Sequence, residues 1–166
     1  PVVANSANLT NNSVLTQLAT TGSVRFKVDL NAQAITIDAT SRIDVTGLGF
    51  LAGGRPGNPF PNNAMTLGFQ QGSGSLDGGS YGGRGGGPNS NAVYGDFRNP
   101  NEPGSGGGGF GVPGGNGGGL IRIVAQTLSL SGTIRANGGA VDVGGSAAGG
   151  SGGGIRIDVG TLSGTG

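Results

Sequence analysis

From Val24 to Asn31 apolar and polar residues alternate strictly: Val24, Phe26, Val28 and Leu30 fall on one side, Arg25, Lys27, Asp29 and Asn31 on the other. A period of two with β-branched and aromatic residues on one side predicts a half-buried strand. Short runs in the same style follow at Ile35–Ile37, Ile43–Val45, Leu120–Val124, Leu128–Leu130, Thr133–Arg135, Ile155–Val159 and Thr161–Leu162. Helical spacing is nearly absent. In residues 2–21 only Val14, Leu15 and Leu18 show it.

Two of these strand groups are copies. Ile121, Arg122, Ile123, Thr127 and Leu128 recur 34 residues later as Ile155, Arg156, Ile157, Thr161 and Leu162. The segment Ile35–Gly47 reads as a degenerate third copy of Leu128–Gly138. Similarity at a fixed period of this size is the mark of stacked repeats. Short strands with small-residue corners predict an all-β chain, a right-handed parallel β-helix (solenoid). A propeller would need tight hairpin signals, and only Asn137-Gly138 supplies one.

Between the strand groups the chain is glycine-rich. Three parts of one structural unit follow: residues 1–50 with the N-terminal strands and a first coil, a Gly-rich excursion over 51–119, and further coils over 120–166 with a Gly-rich insert at 138–154. The chain has 41 Gly and 8 Pro among 166 residues, a level that signals loose chain unless a period organises it. Gly-first triplets recur at 79–87, 108–119 and 149–154. Three residues per turn is the polyproline-II period, whose backbone must bond to neighbouring segments. Packed polyglycine-II strands beside the coils are the expectation, against a flexible linker as the alternative.

Composition excludes several chemistries. Without His or Cys there is no Ser-His-Asp or Cys-His catalysis, no thiolate or imidazole metal site and no disulfide. Nine basic against eight acidic residues leave +1, which argues against nucleic acid as partner. No apolar run approaches the ~20 residues of a membrane helix, so membrane insertion is not expected. The chain opens at Pro1 and stops at Gly166 within a further copy. This reads as a segment of something longer, or as a unit completed by a neighbour.

The strings GGSYGGRGGG (78–87), VYGDFRNPNEPGSGGGG (93–109) and GGGLIRIVAQTLSLSGTIRANGG (117–139) resemble glycine-rich, β-helix-forming repeats of very large secreted or surface-anchored bacterial proteins. The resemblance covers roughly residues 30–166. It implies an extracellular or cell-surface location and names no ligand. On composition, the triplets are also similar to polyglycine-II bundle proteins.

Candidate chemistry is sparse. Arg25, Arg42, Arg122 and Arg156 sit between inward apolar residues, hence on outer strand faces. They read either as a ladder for anions or sugar acids or as a solvated face with salt bridges. The acids show no local cluster, and an enzyme is not expected. No cofactor is expected; calcium is the one ion considered, with Asp96 and Glu102 as its candidates. Tyr81, Arg84, Tyr94, Phe97 and Arg98 could present a carbohydrate-stacking surface or pin the glycine excursions. Ile155, Ile157 and Val159, with no cap after them, are the candidates for self-assembly. The leading expectation is a non-catalytic structural unit of a surface fibre or adhesin stalk, stacking strands end to end with itself or with adjacent repeats. The alternative is a glycan- or surface-binding adhesin module presenting loop aromatics.

Overall fold

The computed structural model describes residues 2–141 and 146–166. Among the described residues nine strands occur in the order β1 (Val2–Leu9), β2 (Val14–Leu15), β3 (Val28–Ile37), β4 (Arg42–Asp44), β5 (Met65–Thr66), β6 (Gln70–Gln71), β7 (Leu120–Leu130), β8 (Thr133–Arg135) and β9 (Gly154–Ser163). A 3-10 turn, Leu67–Phe69, separates β5 from β6. No helix among the described residues is long and apolar enough to cross a membrane.

Two small parallel sheets carry the strand groups. One has the order β1-β3-β7-β9 and the other β2-β4-β8, while β5 and β6 form an antiparallel pair. The copies visible in the sequence are spatial neighbours in register: Ile121 faces Ile155, Ile123 faces Ile157 and Leu128 faces Leu162. The degenerate copy pairs as well, Ile35 with Leu128 and Ile43 with Ile134. Apolar residues thus line up in files across the strands, such as Ala7–Ile35–Leu128 and Leu30–Ile123. Ile35, Ile37, Ile43, Val45, Ile121, Ile123 and Leu128 are fully or almost fully buried in one cluster fed by both sheets.

The corners between the sheets are held by side chains. The Asn11, Asn12 and Ser13 amides donate to Asp38 Oδ2, Thr40 Oγ1 and Ser41 Oγ at 2.9, 3.0 and 3.1 Å. Asn11 and Asn12 make that corner with φ of 58° and 63°, a conformation asparagine tolerates better than most residues.

The expected parallel β-helix is not what the chain forms. A solenoid repeats one coil at a near-constant step. Here the register steps from Val2 to Leu30, from Val28 to Ile121 and from Ile121 to Ile155, advances of 28, 93 and 34 residues. The second sheet has strands of only two or three residues. The strand groups form two small parallel sheets beside the antiparallel β5–β6 pair, and no solenoid is indicated. Two boundaries also move. Residues 2–9, too rich in Asn, Ser and Ala to show a period, form a strand because β3 offers them a ladder. Val24–Lys27 stays outside β3, with Val24 exposed.

The glycine-rich excursions, expected as polyglycine-II strands, form a body that lies mostly outside helix and strand, bonded laterally backbone to backbone and turned at positive-φ glycines such as Gly54 and Gly87. The Phe50 and Gly53 amides donate to Gly104 and Gly107, and the Gly104 and Gly107 amides donate in turn to Gly118 and Gly115. Gly115 and Gly118 donate onward to Ala148 and Ser151. These backbones approach too closely for side chains: a Cβ on Gly117 would lie 1.9 Å from Gly104 O, and one on Gly49 2.2 Å from Gly118 O. A second small core of Phe50, Leu51 and Met65 sits inside this body, where Phe50 meets Phe69 edge-on at 5.9 Å.

Candidate functional site

The aromatic residues read either as a stacking surface or as anchors of the glycine excursions divide into two groups. Tyr81 is buried and contacts Tyr94 edge-on at 5.3 Å; Tyr94 packs on the Phe50–Leu51–Met65 cluster. The Tyr94 hydroxyl donates to Pro103 O at 2.7 Å. Burial pushes both phenols above their ordinary range. Gly95, with φ of 79°, is where the loop passes Tyr81: a Cβ there would stand 2.4 Å from the ring. The two tyrosines anchor the loop. Phe97, by contrast, is 76% exposed, with the Arg98 guanidinium 4.7 Å above its ring. Arg84 turns back on its own loop, donating to Ser90 Oγ at 3.1 Å and Pro88 O at 3.3 Å.

The calcium candidates are engaged elsewhere. Asp96 Oδ1 accepts from the Arg98 amide at 2.8 Å, and Glu102 pairs with Arg25 at 2.5 Å. Among the described residues no three acidic side chains come together as a metal site would require.

The self-assembly candidates lie on β9, an outer strand of the four-stranded sheet. Ile123 and Ile121 are fully buried on β7, yet their register partners Ile157 and Ile155 on β9 are each 37% exposed. Leu162 is 60% exposed, although its partner Leu128 is fully buried. Val159 is half-buried against Ala125. The difference has one cause: β7 has a strand on each side, and β9 has one only.

A feature not assembled from the sequence lies where β3 and β7 begin. Val28 pairs with Ile121, so the chain entering β3 runs beside the chain entering β7. Arg25, Phe26 and Lys27 on one side, Leu120 and Arg122 on the other, and the 100–103 loop above enclose a cavity of about 280 Å³. Leu120 and Pro103 are buried and make its apolar surface with Phe26. Asp29 sits beside it with its side chain only 8% exposed. Its carboxylate is 2.8 Å from Lys27 Nζ and 3.6 Å from Arg122 Nη1. Burial pushes the Asp29 carboxyl up, but the Lys27 bond and the Lys27 and Arg122 charges outweigh it, and the group is held below its ordinary range. Arg25 and Arg122 both stood in the sequence as outer-face residues; only the pairing of β3 with β7 brings them together. Arg122 is also in register with Arg156, whose charge goes to Asp158 at 2.7 Å and to Asn99.

Compared with known proteins, the chain matches no family model, no curated protein and no solved structure.

Proposed function

We propose that the chain is a non-catalytic structural module of an extracellular fibre or adhesin stalk, and that it assembles by adding the β1 edge of a second copy to its own β9 edge. One observation carries this reading: apolar files that are buried on β7 continue in register onto β9 and are left uncovered there. The site that β7 offers β9 is repeated by β9 itself. Both strands share Ile-Arg-Ile and Thr-Leu-Ser, so a further parallel strand finds the same surface. Extending the β1–β3–β7–β9 register by one step sets Ala4 and Ala7 of a second copy over Val159 and Leu162, small residues over larger ones. A head-to-tail contact of this kind grows into a filament when its rotation does not close. The secreted location rests on the resemblance of residues 30–166 to glycine-rich surface repeats. The non-catalytic reading is supported by carboxylates already committed to structure, Glu102 to Arg25, Asp158 to Arg156 and Asp38 to its corner.

The test is electron microscopy and sedimentation of the purified chain at rising concentration, beside Ile157→Lys, which places a charge on the edge as natural sheet edges do. Filaments from the parent chain, and particles of single-chain size with an unchanged circular dichroism spectrum from the variant, are expected. A parent chain that stays monodisperse at every concentration overturns the proposal, as does a variant that assembles equally well.

A further inference from the structure

The cavity at the start of β3 and β7 has an excess of positive charge and one unused donor fork. Arg25 is matched by Glu102, and Arg156 by Asp158. Lys27 and Arg122, however, share the single carboxylate of Asp29. At 3.6 Å the Arg122 contact is an ion pair longer than a hydrogen bond, and Asp29 Oδ1 has no hydrogen-bond partner among the described residues. The Arg122 guanidinium donates no hydrogen bond to any described residue, and its side chain is 39% exposed at the cavity wall. A planar five-donor fork in that state matches a carboxylate bidentately.

The remaining walls narrow the ligand class. Phe26, Leu120 and Pro103 offer apolar surface beside the cations, which suits a ring with a hydrocarbon face and an acidic substituent. A volume of about 280 Å³ lies near the lower end of ligand cavities, room for one or two sugar rings and too small for a folded partner. We infer that this cavity binds the carboxylate of an acidic sugar, a hexuronate, with Arg122 as the fork, Lys27 and Arg25 as flanking charges and Phe26 as the stacking surface. It is a different place from the exposed Phe97–Arg98 pair and from the β9 edge, and it does not depend on assembly.

The experiment is a titration of the full chain with glucuronate, glucose and inorganic sulfate, followed by amide and side-chain NMR shifts. Saturable shifts at Arg25, Phe26, Lys27 and Arg122 with glucuronate are expected, with none from glucose and much weaker ones from sulfate. Arg122→Gln weakens glucuronate binding by about tenfold or more, the loss expected for charge-assisted bonds. Arg122→Lys keeps the charge and loses the fork. It falls between the two, and it serves as the readout should Arg122→Gln fail to fold. Equal binding of glucose and glucuronate overturns the inference, and so does sulfate bound as tightly as glucuronate, which would make this a plain anion site. An Arg122→Lys or Arg122→Gln chain that is folded and binds like the parent overturns it as well.

Discussion

Replacing Gly107 by Ala separates packed glycine backbone from loose linker. Gly107 is buried, donates to Gly115 O at 2.9 Å and accepts from the Gly53 amide at 3.0 Å. A Cβ there would lie 2.2 Å from Ala148 O and 2.4 Å from Gly149 O, so one of these backbones must move by nearly an ångström. The obstacle is a carbonyl, not the end of a side chain, and Ala148 O already accepts the Gly115 amide at 3.0 Å. Forcing a methyl into such a site costs roughly 1–3 kcal/mol, and each buried hydrogen bond loosened adds about 1 kcal/mol. Against this stands a gain of about 0.4–1 kcal/mol from a stiffer unfolded chain. The net expectation is a loss of about 3 kcal/mol, or roughly 6–12 °C in Tm for a chain of this size. Gly83→Ala is the matched control. That residue is exposed, a Cβ there meets nothing within 4 Å, and only the unfolded-state gain remains, so Tm should rise by roughly 1–4 °C. Thermal melts followed by circular dichroism read both. A Gly107→Ala chain that melts as high as Gly83→Ala would refute the close-approach argument and return these segments to flexible linker.

Two further outcomes follow from the register and the corners. Ile123→Ala removes a fully buried side chain and should cost about 2–5 kcal/mol in denaturant unfolding, whereas Ile157→Ala, its neighbour at 37% exposure, should cost well under half as much in dilute solution; equal costs would mean that β9 is already covered there. At the corner, the Thr40 hydroxyl first, then the Asn11 amide and Ser41, hold the Asp38 carboxyl at about 2. A carboxyl depressed in the folded state contributes its full stabilisation above the ordinary carboxylate range near pH 4 and loses it as pH falls toward 2. Thr40→Val should therefore move the Asp38 midpoint upward in a carboxyl NMR titration and remove part of the acid sensitivity between those limits; a midpoint that stays near 2 refutes the assignment to Thr40.

Strand identity was largely legible because it is local. Alternation at Ile35–Ile37, Ile43–Val45 and Leu120–Val124 marks residues with one wet and one dry side, and the 34-residue copies pair as neighbours in register. β1 was not legible, since Asn, Ser and Ala have little preference of their own and Val2–Leu9 is a strand only because β3 supplies its partners. The β-helix expectation failed for a related reason. Copies of strands do not state how much chain runs between them, and an advance of 93 residues between β3 and β7 is no repeat of one coil. Among candidate site residues, the alternation at Ile155, Ile157 and Val159 marked a strand, but the 37% exposure of Ile155 and Ile157 follows from the outer place of β9 in the sheet, which no local pattern gives. Tyr81 and Tyr94 could not be told from surface aromatics, because their burial comes from a loop closing through Gly95 and Pro103.

What the sequence by itself determined is the chemistry in play: no imidazole, no thiol, few charges, repeated apolar runs, and the glycines that allow backbone to approach backbone closely. These are properties of residue type and short-range period, which a one-dimensional pattern holds in full. The tertiary structure alone decided which residues meet. Arg25 and Arg122 are 97 positions apart, and they share a cavity because β3 and β7 pair in parallel. Glu102 and Asp29 then take part of the local charge and leave the Arg122 fork open. Contacts of such sequence separation depend on the register of distant strands, and no local pattern encodes that register.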